Sequence, residues 1–292
     1  MTESTIAIGV IGGSGLYKMK DLEILEEREL ETSFGLPSAP YVIGRIGDTT
    51  VAFLPRHGRG HRFMPTEINF RANIMGFKML GVKWLISVSA VGSMKEEITP
   101  GTMVIPTQFF DRTRLRERTF FGDGLVAHVG MADPVCPELA RTLYDAAAEV
   151  GASVMFGGTY LCIEGPQFST RAESNIFRSW GVDVIGMTNL PEAWLAREAE
   201  ICYATIAMAT DYDCWHETEE DVSAEAVIQL LMKNIDVSQQ IIKAAVKRLP
   251  LPRNCICPKA LADAFITDRA SVPESTLKKL WPIVGKYFEA KP

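Results

Sequence analysis

Short apolar runs alternate with segments of helical spacing along most of the chain. Six β-branched or apolar runs predict strands, over residues 5–11, 51–54, 84–89, 102–105, 182–187 and 203–209. Helical spacing predicts further elements, over 65–80, 137–150, 169–180 and 192–201, after Ser223 and from Pro273 onward. Strands that alternate with helices are typical of an α/β sheet covered by helices, so we expect one compact α/β domain.

The composition narrows the functional classes. The 292 residues are 47% hydrophobic and carry a net charge of −6, which favours a folded protein with a large core over a disordered chain. The acidic balance disfavours nucleic-acid binding, because proteins that bind nucleic acids use excess Lys and Arg to neutralise phosphates. No run approaches the ~18 apolar residues needed to cross a bilayer. We expect a cytoplasmic protein that binds neither nucleic acid nor membrane.

A glycine-rich segment follows the first predicted strand. Residues 12–15 read Gly-Gly-Ser-Gly, so main-chain N–H groups can approach an anion closely and Ser14 adds a hydroxyl donor. The dinucleotide fingerprint would need a glycine where Lys18 stands, which disfavours a nicotinamide dehydrogenase, and no Walker lysine follows. The segment fits either a phosphate loop or a tight turn.

A basic segment follows the run that ends at Leu54. Residues 56–61 read Arg-His-Gly-Arg-Gly-His, and arginine offers a planar fork of donors that suits phosphate oxygens. His57 and His61 have the spacing of helical zinc ligands, but the two glycines disfavour a helix there. The segment predicts an anion site, with a solvated basic loop or a metal site as alternatives.

Small and basic residues mark two further segments. The small residues over 87–93 leave room for a ligand at the carboxyl edge of a sheet, or for close packing of a strand against a helix. The alternating Arg112, Arg114, Arg116 and Arg118 would share one face of a strand, which predicts a solvated or subunit-contact surface.

Two carboxylates follow the predicted strand 203–209. Asp211 and Asp213 are two residues apart, so an extended segment places them on one side, where burial would raise their pKa. A carboxyl group with a raised pKa suits acid catalysis. Capping of the next element and cation binding remain alternatives.

The cysteines show no local metal motif. Cys255 and Cys257 form a C-x-C pair, which is too short for a zinc site without a second pair at a usual spacing. We therefore expect no metal, and the sequence leaves a disulfide between them open. We expect the cysteines in or beside apolar segments, among them Cys136 and Cys202, to be inert buried thiols.

Several of these segments, taken together, resemble one enzyme family. The chain is similar to the trimeric branch of the purine nucleoside phosphorylases, and within it to the methylthioadenosine phosphorylases. The resemblance covers residues 6 to about 247 in family order, and its matching stretches are GVIGGSGL (9–16), RHGRGH (56–61), SAVGS (89–93), IEGPQFSTRAES (163–174), GMTNLPEAWLAREA (186–199) and ATDYDCW (209–215). It implies a single domain over 1–292, with a central mixed twisted β-sheet flanked by helices and a C-terminal helical tail from about 259.

The resemblance also implies roles for individual residues. The expected phosphate site consists of Ser14, Arg56, His57, Ser89, Ala90 and Thr188. The expected nucleoside site consists of Phe168 against the base, Met187 against the ribose, Ala224 and Val227 around the 5′ group, and His128 from a neighbouring subunit. Asp211 would hydrogen-bond or protonate the purine N7, and Asp213 would accept from a 6-amino group.

The implied reaction is phosphorolysis of 5′-methylthioadenosine, with phosphate as co-substrate and no cofactor. Relatives that act on 6-oxo purines use Glu and Asn where this chain has Ser169 and Asp211, and relatives that accept a 5′-hydroxyl have a His where Ala224 and Val227 stand. The resemblance further implies a homotrimer, with a dimer of trimers as a variant. The alternatives are a phosphorylase that prefers adenosine, inosine or methylthioinosine, and a non-catalytic purine-binding protein.

Overall fold

Eleven strands of the described chain form one mixed β-sheet. The structure is a computed structural model that describes residues 6–13, 15, 16, 19, 22–216 and 224–288, with the side chains of 224–229 and 231 outside the description. The strands are β1 (Ile8–Gly12), β2 (Glu23–Arg28), β3 (Tyr41–Ile46), β4 (Thr49–Pro55), β5 (Trp84–Ser93), β6 (Met103–Ile105), β7 (Gln108–Arg112), β8 (Val154–Phe156), β9 (Thr159–Ile163), β10 (Val184–Gly186) and β11 (Cys202–Asp211). The prediction of a mixed sheet flanked by helices is confirmed.

Six α-helices accompany the sheet in the described ranges. They are α1 (Phe70–Met79), α2 (Pro137–Glu149), α3 (Arg171–Ser179), α4 (Asn189–Glu198), α5 (Ala224–Arg248) and α6 (Glu274–Phe288). Their starts follow from local chemistry: α2 begins at a proline that needs no N–H partner, and Thr170 and Glu173 form a capping box at α3. The predicted helix over 65–80 is a 3₁₀ turn at Pro65–Glu67 followed by α1.

Four strands in the middle of the sheet run parallel. β1 pairs in parallel with β4 on one side and with β5 on the other, and β5 pairs in parallel with β11. Parallel neighbours end at the same edge of a sheet. The segments that follow β1, β4, β5 and β11 therefore meet at one edge.

Each face of the sheet carries its own core. Successive side chains of a strand point to opposite faces, so Ile11 faces the core that includes Ile74 of α1, and Val10 faces the core that includes Leu143 of α2. The side chains of both strand residues are fully buried. The helices that pack on the two faces of the sheet hold these parallel strands, and with them the edge where the strands end, in place. No helix of the described ranges is long and apolar enough to cross a membrane.

The predicted arginine surface is confirmed in part, because Arg112, Arg114 and Arg118 are exposed whereas Arg116 is not. β7 ends at Arg112, so the four alternating arginines do not share one strand face. Arg116 is 7% exposed, and its guanidinium binds Glu164 together with the main-chain oxygens of Met187 and Leu190. Arg116 therefore joins the segment after β7 to the residues that follow β9 and β10, and it is not part of a solvated surface.

Candidate active site

The first predicted phosphate segments lie side by side at the sheet edge. In the register of the sheet, Gly12 of β1 is opposite Pro55 of β4, and Ile11 is opposite Ser87 of β5. The N–H of Arg56 donates to the carbonyl of Gly12 at 2.9 Å. The glycine-rich segment and the basic segment therefore adjoin each other, while Ser14 lies outside the described residues.

Arg56 is anchored by a carboxylate that the sequence did not single out. Its side chain is 2% exposed, and Nε and Nη2 donate to the two oxygens of Glu192 at 2.7 and 2.9 Å. Glu192 Oε1 also accepts from Ser87 Oγ at 2.9 Å and from the Tyr203 hydroxyl at 2.8 Å. The main-chain oxygens of Val88 in β5 and Ile11 in β1 also accept from the Arg56 guanidinium.

This anchoring changes the expected role of Arg56. The planar fork that would suit phosphate faces Glu192 instead. Of the five N–H hydrogens of a guanidinium, contacts within the described ranges use four and leave one on Nη1 for a ligand. The interpretation of this arginine as part of a solvated loop is wrong, because its side chain is buried.

His57 is a neutral side chain rather than a cationic one. Burial lowers the pKa of His57 to about 4, opposed by its hydrogen bond to the Phe63 carbonyl at 2.8 Å. A carbonyl oxygen only accepts, so Nδ1 carries the proton and Nε2 keeps a free lone pair. The His61 ring stacks on the His57 ring at 4.1 Å. His57 can therefore accept one hydrogen bond, through Nε2, from a protonated oxygen of a ligand.

Ser89, Thr188 and Tyr160 place hydroxyl groups beside the same edge. Ser89 Oγ donates to Asn189 Oδ1 at 3.2 Å, and Asn189 in turn donates to Thr205 Oγ1 at 2.5 Å. The hydroxyls of Thr188 and Tyr160 are buried close to each other, with Ser89 beside Tyr160, and neither hydroxyl makes a hydrogen bond of good geometry among the described residues. Buried hydroxyls are nearly always hydrogen-bonded, so an unpaired group at a sheet edge indicates a place for a polar ligand.

Asp211 is half-buried at the end of β11 opposite Gly92 of β5. Its Oδ1 accepts from the Asp213 N–H at 2.8 Å, and its Oδ2 accepts from Thr210 Oγ1 at 2.7 Å. Burial raises the pKa of Asp211, opposed by these hydrogen bonds. A Cβ at Gly92 would lie 2.8 Å from Asp211 Oδ1, so only glycine lets the strand approach this carboxyl group.

Asp213 occupies the turn that follows Asp211. Its φ of 53° lies in the left-handed region, which aspartate tolerates better than most residues. Burial also raises the pKa of Asp213, and the neighbouring hydroxyls of Ser174 and Ser169 act in the opposite direction. The prediction of two partly desolvated carboxyl groups on this segment is confirmed.

The residues expected around the nucleoside divide into three groups. Met187 is half-buried against Gly165, and Ala90 of the expected phosphate site is half-buried in β5. Phe168 and His128 are exposed, and the His128 N–H is fixed by the Ala264 carbonyl at 2.8 Å. The side chains of Ala224 and Val227, at the start of α5, lie outside the described residues.

His216 follows the acidic turn in sequence. Its Nε2 lies 3.2 Å from Glu96 Oε2, and its ring stacks on Tyr212. His216 therefore contacts the Glu96 carboxylate and the Tyr212 ring.

Sequence reasoning did not identify Glu192, Asn189 or Tyr160 as site residues. Glu192 lies 136 residues from Arg56 in the chain, and no local motif connects them. The available signal was the position of Glu192 in the stretch 186–199, which also contains Thr188. Long-range pairing of this kind becomes visible only when the sheet is assembled.

The chain matches proteins of known class over almost its whole length. The phosphorylase superfamily model matches residues 7–247. The S-methyl-5′-thioadenosine phosphorylase of Geobacter sulfurreducens is 59% identical over 281 residues, which cover 96% of this chain and 98% of that protein. The corresponding enzyme of Koribacter versatilis is 57% identical over 96% of both chains.

Solved structures agree with the sequence matches. A methylthioadenosine phosphorylase from an antarctic soil metagenomic library is 50% identical with a TM-score of 0.90, over 96% of this chain and 99% of that chain. The methylthioadenosine phosphorylase of Schistosoma mansoni in complex with adenine is 34% identical with a TM-score of 0.83, over 89% and 99% of the two chains.

Proposed function

The chain belongs to the phosphorylase superfamily, and we propose that it cleaves S-methyl-5′-thioadenosine with inorganic phosphate. The products are adenine and 5-methylthioribose 1-phosphate, so the enzyme is a pentosyltransferase of purine and methionine salvage. The observation that carries the chemistry is the half-buried Asp211, with its raised pKa, at the sheet edge that also bears the buried Thr188 hydroxyl. The identity of the nucleoside is supported by relatives that carry the activity in their names.

Breaking a glycosidic bond separates charge. The sugar becomes positive at the anomeric carbon while the purine becomes negative. A site that holds an anion beside the sugar and an acid beside the purine therefore lowers the barrier. Phosphate supplies the anion and then forms the new bond to the anomeric carbon. The reaction as proposed uses phosphate as co-substrate and no cofactor.

Phosphate lies among Ser14, Arg56, His57, Ser89, Ala90 and Thr188 in this proposal. The neutral His57 accepts a hydrogen bond from a protonated phosphate oxygen through Nε2, because its Nδ1 already donates to a carbonyl. Thr188 supplies a buried hydroxyl that makes no hydrogen bond of good geometry within the described ranges. Arg56 supplies one N–H, while Glu192 holds its guanidinium in place.

Asp211 acts as the acid for the purine N7. The Thr210 hydroxyl serves both protonation states of this carboxyl group, because it lies 2.7 Å from Asp211 Oδ2 and 3.2 Å from the Val91 carbonyl. It donates to the carboxylate when Asp211 is ionised. When Asp211 is protonated, the Thr210 hydroxyl turns to donate to the Val91 carbonyl, and the single O–H of the carboxyl group is left for the purine N7. Asp213 accepts from the 6-amino group of adenine.

The remaining contacts are apolar or come from a neighbour. Phe168 covers the base and Met187 contacts the ribose, while the partners proposed for the methylthio group are the apolar residues Ala224 and Val227, whose side chains lie outside the described residues. His128 reaches the pocket of the adjacent subunit in a homotrimer, or in a dimer of trimers. Its exposure on a loop that is fixed by Ala264 supports this role.

The alternatives are not favoured. A phosphorylase for 6-oxo nucleosides would gain nothing from Asp213 as an acceptor, because a 6-oxo group is itself an acceptor. The curated relatives and solved structures that match carry methylthioadenosine phosphorylase in their names. A purine-binding protein without catalysis would have no use for a half-buried acid beside an anion site.

Replacing the acid tests this proposal. We expect Asp211→Asn to lower kcat by about 10²–10⁴-fold, because an amide cannot deliver a proton, while the KM for phosphate changes little. Since the pKa of Asp211 is raised, kcat of the unmodified enzyme falls as its acid ionises with rising pH, and the variant lacks this decline. The measurement is kcat and the phosphate KM across a pH series, with Asp48→Asn, an exposed residue, as control. Equal losses in kcat and phosphate affinity would remove Asp211 as the acid.

A further inference from the structure

Four cysteines from distant parts of the chain converge at one place. Cys136 immediately precedes α2, Cys202 is the first residue of β11, and Cys255 and Cys257 follow α5. Their Sγ atoms all lie within 4.8 Å of one another, and the Sγ atoms of Cys202 and Cys255 are 3.5 Å apart. Cys136 and Cys202 thus supply the second pair of thiols that the sequence around Cys255 and Cys257 lacks.

The cluster is shielded from solvent. Cys136, Cys202 and Cys257 are buried, Cys255 is half-buried, and all four are free thiols. Free thiols at the surface are chemically accessible, whereas thiols in such a pocket react only with what enters it. A small ion is the kind of ligand that this space admits.

The spacing fits tetrahedral coordination. Zn²⁺ binds thiolates at ~2.3 Å, and four sulfurs at the corners of that tetrahedron lie ~3.8 Å apart. The observed separations bracket this value. An all-sulfur donor set selects soft or borderline ions, and four cysteines are a common set in closed structural zinc sites.

The backbone positions the four residues before any ion binds. The N–H of Cys136 donates to the Tyr203 carbonyl at 2.9 Å, and the N–H of Cys202 donates to the Lys83 carbonyl at 2.9 Å. The cysteine pair after α5 is held by its neighbours, because Arg253 donates to the Glu200 carbonyl at 2.9 Å. Such fixed ligands lose little conformational freedom on binding.

Charge at the site also suits a metal thiolate. Zn²⁺ with four thiolates carries a net charge of −2, since the four thiols release four protons when they bind. Arg197 is 4% exposed, and its guanidinium interacts electrostatically with Cys257. A buried cation offsets part of this negative charge.

We propose that Cys136, Cys202, Cys255 and Cys257 bind one Zn²⁺ ion per subunit. The ion links the segment after α5 to the starts of α2 and β11, so its role is structural. Cys202 and Asp211 are at opposite ends of β11, which places the zinc site ~30 Å from the catalytic acid at about 3.3 Å per strand residue. This replaces the expectations that the protein holds no metal and that Cys136 and Cys202 are inert thiols.

Metal content tests the proposal on the intact protein. We expect about one zinc per subunit by elemental analysis after purification with a reductant, or after incubation with Zn²⁺ followed by desalting. Co²⁺ added to the metal-free protein should give the intense sulfur-to-cobalt charge-transfer absorption of a tetrahedral thiolate site. Cys255→Ser with Cys257→Ser should abolish both signals, whereas Cys162→Ser, a buried cysteine outside the cluster, should keep them.

Stability and activity separate this role from catalysis. Removal of zinc by a chelator should lower Tm by at least about 5 °C and leave kcat unchanged below the new transition. Zinc-free protein that also takes up no Co²⁺ under reducing conditions would overturn the proposal. So would mass spectrometry of the reduced-purified protein that finds disulfides among these four cysteines, or full zinc content in the double variant. Each of these outcomes leaves the proposed phosphorolysis untouched.

Discussion

At the scale of single residues, the site is marked by polar groups that the fold does not satisfy. The buried hydroxyls of Thr188 and Tyr160 lie close to each other but make no hydrogen bond of good geometry in the described chain, although burial of a poorly paired hydroxyl is costly. Folding alone gives no reason to keep them there. A phosphate that accepts from Thr188 supplies that reason.

Removal of one such hydroxyl distinguishes a ligand role from a structural one. We expect Thr188→Val to raise the KM for phosphate by about ten-fold or more, because a hydrogen bond to a charged group contributes roughly 1.5–3 kcal/mol. Its Tm should change little, since Thr188 Oγ1 makes no internal hydrogen bond of good geometry and only adjoins the Tyr160 hydroxyl. The measurements are steady-state kinetics with varied phosphate and thermal unfolding.

A matched threonine provides the control for this substitution. Thr142 is equally buried, but its hydroxyl donates to the Glu138 carbonyl at 2.8 Å within α2. Thr142→Val should lower Tm slightly and leave the phosphate KM alone. An unchanged phosphate KM in Thr188→Val would exclude this hydroxyl from the phosphate site.

The sequence predicted which residues lie near the site better than it predicted how their side chains are oriented. The sequence alone indicated that Arg56 and His57 lie near an anion, and the structure places both at the appropriate sheet edge. It did not reveal that Arg56 turns its fork toward Glu192, or that burial keeps His57 neutral. Both facts depend on neighbours that are distant in sequence.

At the scale of elements, α4 links the catalytic edge to the loop that carries His128. Glu198 at the end of α4 accepts from Thr119 Oγ1 and from the Phe120 N–H, both at 2.8 Å. Its burial raises the pKa of this carboxyl group to about 7, opposed by these two hydrogen bonds. The contact between the helix and the loop therefore titrates near neutral pH.

This carboxyl group makes stability depend on pH. Its pKa rises from 4.5 in the unfolded chain to about 7 in the fold, so the folded state binds more protons between these values. Stabilisation by the neutral form is complete below pH 4.5 and is lost as pH rises through about 7. We expect Glu198→Gln, which mimics the neutral form, to gain Tm relative to the unmodified protein as pH rises from 4.5 to 8.

Thermal unfolding across this pH range checks the prediction. Glu29→Gln, at an exposed position, should show the pH dependence of the unmodified protein. A Tm difference between Glu198→Gln and the unmodified protein that stays constant with pH would contradict the assigned titration.

The predicted elements were those with strong local patterns. Strands β1, β4, β5 and β11 were found because each is a buried apolar run, and α2 was found almost to the residue. Strand β2 was missed because five of its six residues are exposed. Strand β8 has three residues, and its pairing with β6 defines it more than its own sequence does.

At the scale of the whole molecule, exposed side chains bear on the proposed homotrimer. Phe168 and Leu115 are large apolar side chains with exposed fractions of 46% and 80%, and His128 is exposed as well. Large apolar side chains at the surface are common where another chain covers them. In the proposed homotrimer, a neighbouring subunit would cover Phe168 and receive His128.

Complementation between two impaired variants tests the shared pocket. Co-expression of Asp211→Asn with His128→Ala produces mixed trimers in which some pockets combine an intact Asp211 with a neighbour's intact His128. In a cyclic trimer that contains both variants, about one pocket in three is fully intact. We expect the doubly tagged mixed assembly to be more active than the mean of the two parents. Activity equal to the mean of the parents would contradict a shared pocket.

The four-cysteine cluster shows what remained invisible to local patterns. Cys136, Cys202 and the 255–257 pair come from three separate parts of the chain, so no spacing rule connects them. The sequence indicated the C-x-C pair, and only the assembled sheet supplied its partners.

The central claim is phosphate-dependent cleavage of methylthioadenosine. It is tested most directly by measuring base release from methylthioadenosine, adenosine and inosine side by side, each with and without phosphate. We predict that methylthioadenosine is cleaved far faster than the other two, and only when phosphate is present. Preferred cleavage of inosine, or base release that does not depend on phosphate, would contradict the account.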